Sequence, residues 1–331
     1  MPATAAPVPW LTLKRLFRSA RLFRRYATAR KIANLLAAEI AYRRGDAAVR
    51  SLPYLFRVDP TNACAASCPY CWRTIAPPMP PATLSLDALR EAFGPFRRIC
   101  FLASFQMFGE PTFNPALPEM VEHLHREGAA TYVSTSLIGR DDDGLARLLA
   151  SGLDLLTISL DAATPETYRL TKPGADYDLV RRNVELVFRV RRSMRRPPMI
   201  GLQVLVTRHN EPELAALSNL ARRLGADYVD FKPTLFLPDA SWIPTSRRFQ
   251  VATFERRRTA CSMPWTSITL LASGRFFPCC AFPGDYDLGP VGTPVQDVWN
   301  GPKLQAIRRG LRSGSPVVPC HGCPLGRLPR F

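Results

Sequence analysis

The chain has 331 residues, 47% hydrophobic and 21% charged, the balance of a globular protein with room for a large core. No run of eighteen apolar residues appears, so a transmembrane helix is not expected. No apolar stretch with a small-residue cleavage site follows Met1, and the chain reads as cytoplasmic. Forty-four basic against 27 acidic residues give a net charge of +17, and residues 1–50 hold eleven of the basic ones against Glu39 and Asp46. Such an arm can meet nucleic acid, anionic lipid or an acidic substrate, or be a solvated helix.

In chain order, residues 1–50 read as a basic amphipathic extension, with apolar positions at helical spacing over 10–44 (Leu11, Leu16, Phe17, Leu22, Phe23, Tyr26, Ile32, Leu35, Leu36, Ile40) and a link at Gly45–Pro53. Strands are expected at Tyr54–Val58, Ile99–Phe105, Ala130–Thr135, Leu155–Leu160, Met199–Val206 and Tyr228–Lys232. Helices are expected at Pro115–Glu127, Gly144–Ser151, Tyr177–Arg195 and Glu211–Leu224, several closed by glycine. Repeated strand–helix units with apolar strands imply an α/β fold whose parallel sheet is covered by helices. Six strands over 51–232 are too few for a closed eight-stranded barrel and leave a partial barrel or an open sheet. Residues 233–260, with Pro233, Pro238 and Pro244, read as a linker. Residues 261–331 read as a small metal-stapled appendage, with a hairpin at Ser273–Gly274 and a helix near Val295–Arg309.

Nine cysteines in a cytosolic chain point to metal or redox use rather than disulfides. Cys64-x3-Cys68-x2-Cys71 follows the first strand, and three thiolates from one loop can converge on one metal centre with a coordination position left open. A zinc knuckle with a remote fourth ligand is the structural alternative. The segment Cys64-Ala-Ala-Ser-Cys68-Pro-Tyr70-Cys71 resembles the signature of the radical S-adenosylmethionine (SAM) family. The resemblance implies a partial (β/α)6 TIM-like barrel and a [4Fe–4S] cluster held by three cysteines and by SAM. Reductive cleavage of SAM then yields a 5′-deoxyadenosyl radical that takes a hydrogen atom from the substrate. Tyr70 fits the pattern. Gly109-Glu110-Pro111 resembles the Gly-Gly-Glu-Pro motif that contacts the SAM amino group, with Phe108 in place of the first glycine. Ser134 and Ser136 occupy the region of the family's Thr-Asn-Gly, and Ser159-Leu-Asp161 the region of its ribose contacts.

Cys261, Cys279, Cys320 and Cys323 supply four thiols, enough to close the shell of a second four-iron cluster. Gly274-x4-Cys279 and Trp299-Asn300 resemble the SPASM and shorter twitch extensions of this family. The cysteine count favours the single-cluster version and is similar to that of the aminoglycoside-pathway alcohol dehydrogenases of the group. Zinc is the rival occupant. Cys280 reads as a spare thiol, an alternative ligand or a hydrogen donor. Cys100 reads as core. His123, His125 and His321 form no ligand set.

These features imply an enzyme that abstracts a substrate hydrogen atom and oxidises or epimerises a small molecule such as a sugar or aminocyclitol. The alternatives are a peptide- or protein-modifying maturase, an enzyme acting on a lipid-linked substrate at an anionic membrane surface, and a metal-knuckle nucleic-acid-binding protein. The last leaves the Gly109 and Ser159 motifs unexplained, and no nucleic-acid partner is expected. A reducing donor such as flavodoxin or ferredoxin is implied. No catalytic base is fixed; Lys232, Asp230, Arg169 and Tyr168 lie near strand ends.

Overall fold

The computed structural model describes residues 20, 22–75, 78–139, 142–250, 261–279, 286–317, 320 and 323. Residues 22–26 are helical, and a second helix, α1 (Ala29–Arg44), starts where the Thr28 side chain accepts from Lys31 N. The expected helical positions of 10–19 lie outside the described residues.

Six strands then alternate with helices: β1 (Leu55–Val58), α2 (Leu86–Phe93), β2 (Leu102–Phe105), α3 (Leu117–Arg126), β3 (Ala130–Thr135), α4 (Asp142–Ala150), β4 (Leu155–Ser159), α5 (Pro165–Thr171), α6 (Tyr177–Ser193), β5 (Met199–Val206), α7 (Leu214–Leu224) and β6 (Tyr228–Pro233). All six pair in parallel in sequential order, the α/β arrangement expected. The sheet is open and continues past β1. There β7 (Ser267–Leu270) pairs with β1 in parallel, and β8 (Arg275–Phe277) and β9 (Gly289–Pro290) follow antiparallel. Two helices follow, α8 (Val295–Asn300) and α9 (Pro302–Ser313). They replace the single helix expected, because a Cβ at Gly301 would meet Asp297 O at 2.1 Å and Pro302 starts a new helix.

The register divides the sheet by chemistry. Phe56, Val58, Ala103, Phe105, Val133, Leu156, Ile158, Ile200, Leu202, Val204 and Val206 face the helices and are buried in one core. The other face is mixed, with apolar partners such as Leu55, Leu102 and Leu155, and holds the polar positions of the strands: Thr269, Arg57, Ser104 and Tyr132 in one row, Ser134 and Thr157 in the next, then Ser159, Gln203 and Asp230. Because side chains alternate along a strand, a one-residue slip would exchange these faces.

The cysteine-bearing C-terminal segment, read from sequence as lacking a core of its own, joins the main one: Trp265, Ile268, Leu270, Phe276, Trp299 and Leu304 belong to it. Residues 46–52 are clamped to this segment by Trp265 Nε1 to Asp46 O (2.8 Å), Trp299 Nε1 to Ser51 O (2.7 Å) and two hydrogen bonds between Asn300 and Val49. The linker is not bare chain. Its Trp242 meets the Tyr70 ring edge-on, and its Phe236 meets Trp72.

Candidate active site

The C-terminal ends of β1–β4 bring the first cysteine group and the three downstream motifs together. The loop after β1 is pinned from several sides. Arg73 Nη2 donates to Cys64 O (3.1 Å) and Ala66 O (3.0 Å), and Ser67 N donates to Pro173 O. Two glycines let other loops touch it. A Cβ at Gly109 would lie 1.9 Å from Thr61 O, and one at Gly174 (φ +86°) 2.6 Å from Ala65 O. Cys64, Cys68 and Cys71 are free thiols, partly exposed. Burial pushes the Cys68 thiol up to about 11, with Asp161, Cys71 and Cys64 adding to it against Lys172.

Glu110 is buried at the loop after β2. Its Oε1 accepts from Thr112 Oγ1 (2.8 Å), Thr112 N and Thr135 Oγ1, and its Oε2 from Ser136 N (2.8 Å). Pro111 is buried and begins the single turn that Glu110 caps. The contact to β3 therefore runs through Thr135 and the Ser136 backbone, while Ser134 sits half-exposed on the mixed face.

Asp161 gathers the remaining groups. Its Oδ2 pairs with Lys172 Nζ at 2.8 Å and accepts from Tyr70 Oη at 3.1 Å, and its Oδ1 accepts from Leu205 N at 2.8 Å. Lys172 Nζ also donates to Ser136 Oγ and Ser159 Oγ, both at 3.3 Å. Burial works against the Lys172 charge, but Asp161, Cys68, Tyr70 and Tyr168 together hold the ammonium well above its usual range. Sequence reasoning missed Lys172, which lies eleven positions beyond Asp161; its placement before the Pro173–Gly174 turn was the available signal. Tyr168, within electrostatic reach of Lys172, Asp161 and Cys68, is fully buried with its hydroxyl unpartnered. A bound polar group in this cradle would satisfy it.

Of the candidate bases, Lys232 and Asp230 lie on half-exposed β6, with Lys232 Nζ 2.6 Å from Gln203 Oε1. Arg169 is on the surface, paired with Glu166.

Cys320 is the common neighbour of the other C-terminal cysteines. The Cys320 thiol feels Cys261 and Cys323, and burial chiefly pushes it up to about 12. Cys320 packs on an apolar cluster that contains Phe108, Leu271, Phe277 and Cys279, and Trp72, beside Cys71, packs on the same cluster. This cluster therefore touches Cys320 on the C-terminal segment and the residue next to Cys71. Cys280 and His321 lie outside the described residues. Cys100 is fully buried, as expected, but precedes β2 rather than lying in it. His125 meets Tyr26 Oη at 3.0 Å, a structural contact. Among the described residues no three His, Cys, Asp or Glu side chains close on a single metal ion.

Residues 58–215 match the family model of the radical SAM superfamily, and residues 261–324 match SPASM, an iron–sulfur cluster-binding domain. The chain belongs to the radical SAM superfamily. Its cofactors are SAM and [4Fe–4S] clusters, and the SPASM match favours a cluster over zinc at the C-terminal cysteines. A PqqA peptide cyclase from Streptomyces rochei is 22% identical over 303 residues, covering 81% of this chain and 80% of that protein. A PqqA peptide cyclase from Ruegeria pomeroyi is 28% identical over 174 residues, covering 53% and 45%. Streptococcus suis SuiB bound to S-adenosylmethionine superposes with a TM-score of 0.63 at 15% identity, covering 81% of this chain and 70% of SuiB. SuiB bound to precursor peptide SuiA gives 0.61 at 14% identity, covering 83% and 71%. The small-molecule substrate expected from the sequence finds no support in these relatives, which are named for peptide cyclisation or bind a precursor peptide.

Proposed function

We propose that this radical SAM enzyme modifies a peptide by hydrogen-atom abstraction. The observation that carries the reading is the match to PqqA peptide cyclase over four-fifths of both chains. The open mixed face of the sheet supports it, since Arg57, Tyr132, Gln203, Asp230 and Lys232 offer charges and hydrogen-bonding groups along an extended wall.

Cys64, Cys68 and Cys71 would hold the cluster at which SAM binds. When bound, cluster and SAM supply reductive cleavage and hydrogen abstraction. Glu110, an acceptor held rigid by Thr112, Thr135 and Ser136, takes the SAM amino group. Lys172 presents a fixed positive charge beside Ser136 and Ser159, suited to the SAM carboxylate. Tyr70 and Lys172 orient Asp161, which leaves few lone pairs for a ribose. Cys261, Cys279, Cys320 and Cys323 would hold the auxiliary cluster, which could accept an electron from the substrate radical.

The test is anaerobic turnover with SAM and reductant, offered peptides translated from short reading frames beside the gene and, separately, aminocyclitols. Peptide-stimulated 5′-deoxyadenosine with a mass change in that peptide supports the reading. Stimulation by aminocyclitols alone overturns it.

A further inference from the structure

The two ends of the sheet carry different elements. The Cys64–Cys71 loop, Glu110, Ser136 and Asp161 follow the C-terminal ends of β1–β4. Beneath the opposite ends run residues 22–26 and α1. Tyr26 Oη donates to Asp154 Oδ2 (2.6 Å) just before β4, and Lys31 Nζ to Gly128 O (2.5 Å) before β3. Asn34 exchanges two hydrogen bonds with Leu52 before β1, and Phe23 stacks on Phe101 before β2 at 5.4 Å.

Fixed this way, α1 turns Ile32, Leu36 and Ile40, one helical turn apart, to solvent at 37%, 55% and 49% exposure, and Phe23 is 45% exposed. These are four of the eight large hydrophobic side chains exposed among the described residues. The same end is rich in exposed arginine: Arg24, Arg30, Arg43 and Arg44 along the helices, Arg97–Arg98 before β2, Arg195–Arg196 before β5 and Arg222–Arg223 before β6. Of the acids there, Glu39, Asp154 and Asp227 are engaged by Arg43, Arg25 and Arg191, while Glu127 and Asp46 are others at this end.

We propose that this face docks on an anionic lipid bilayer. An apolar helical stripe flanked by arginine suits the boundary between headgroups and acyl chains. A second copy would set two arginine-rich faces against each other, and nucleic acid offers nothing to Ile32, Leu36 and Ile40. The docking also orients the enzyme. The cysteine loop lies at the far ends of the strands, so the site opens to the aqueous side and receives its substrate from there. A substrate anchored in the same bilayer would face the wrong end of the sheet. The inference stands apart from the peptide reading, which concerns the opposite end.

Sedimentation of the full-length protein with phosphatidylcholine vesicles, with and without phosphatidylglycerol, tests it. Pelleting is expected with the anionic vesicles only, and to fall as NaCl is added. Arg97→Gln/Arg98→Gln is expected to weaken it about fivefold per arginine, and Leu36→Asp/Ile40→Asp to abolish it, each variant keeping the wild-type circular dichroism. No pelleting, equal pelleting with neutral vesicles, or unchanged pelleting of the arginine variant overturns the proposal. A dimer in vesicle-free solution that Leu36→Asp/Ile40→Asp dissociates overturns it too, by giving the face to a second copy.

Discussion

Lys172 Nζ stands 2.8 Å from Asp161 Oδ2, and the two side chains keep only 4% and 0% of their exposure. The pair joins the end of β4 to the segment after α5, and through Tyr70 and Leu205 it reaches the cysteine loop and β5. Lys172→Met would leave a buried carboxylate without its cation, a change that costs about 3–5 kcal/mol. Lys172→Arg keeps the charge and is expected to recover part of the loss. Thermal unfolding, with equilibrium dialysis of SAM against the reconstituted protein, reads both effects. Wild-type stability and SAM affinity in Lys172→Met would contradict the role given to this ammonium.

Gly109 and Gly94 make a matched pair for the packing of the site. A Cβ at Gly109 would fall 1.9 Å from the Thr61 carbonyl, whereas one at Gly94 meets nothing within 4 Å. Gly109→Ala is expected to push apart the loops after β1 and β2 and to lower 5′-deoxyadenosine formation by about a hundredfold or more, the scale of a 1 Å misplacement in a catalytic constellation. Gly94→Ala is expected to be neutral. The assay is 5′-deoxyadenosine release under reductant, normalised to iron content.

Much of this was legible before the structure. Ala130–Thr135 and Met199–Val206 were read to the residue, because apolar runs between glycine and proline leave little choice. The Cys64–Cys71 spacing and Gly109-Glu110-Pro111 could be read as a candidate site because they are local in sequence. Lys172 and Thr135 were not visible, since their partners Asp161 and Glu110 are set by the fold over 11 and 25 positions. The helix Leu86–Phe93 was also missed, although Ser85 caps it. The pairing of β7 with β1 joins residues about 210 positions apart, and pattern alone does not choose a sheet neighbour at that distance.

Asp59, buried after β1, receives Phe108 N at 3.2 Å. Burial raises its carboxyl to about 7, against the N–H groups of Phe108, Gly109 and Ala272. A carboxyl whose folded pKa lies above its unfolded value of 3.8 binds its proton in the folded state first. It therefore stabilises the fold at low pH and loses that contribution as pH rises towards 7, in total on the order of 4 kcal/mol. Asp59→Asn is neutral throughout and is expected to gain on wild type between about pH 5 and pH 8. Denaturant unfolding of both proteins at the two pH values measures the difference; no change in it would contradict this account.

Trp299 is fully buried, donates to Ser51 O and lies under the Arg308 guanidinium at 4.7 Å. Trp299→Ala is expected to cost about 3–5 kcal/mol and, because the clamp joins the C-terminal segment to the chain before β1, to expose residues 46–52 to proteolysis. Limited trypsin digestion at Arg50 reads that loss.

The central claim is a radical SAM centre beside an auxiliary cluster. It is tested most directly by iron and sulfide per chain after anaerobic reconstitution, in wild type and in Cys64→Ala/Cys68→Ala/Cys71→Ala. The account predicts about eight irons falling to about four. About four irons falling to none, with zinc retained at the C-terminal cysteines, would contradict it.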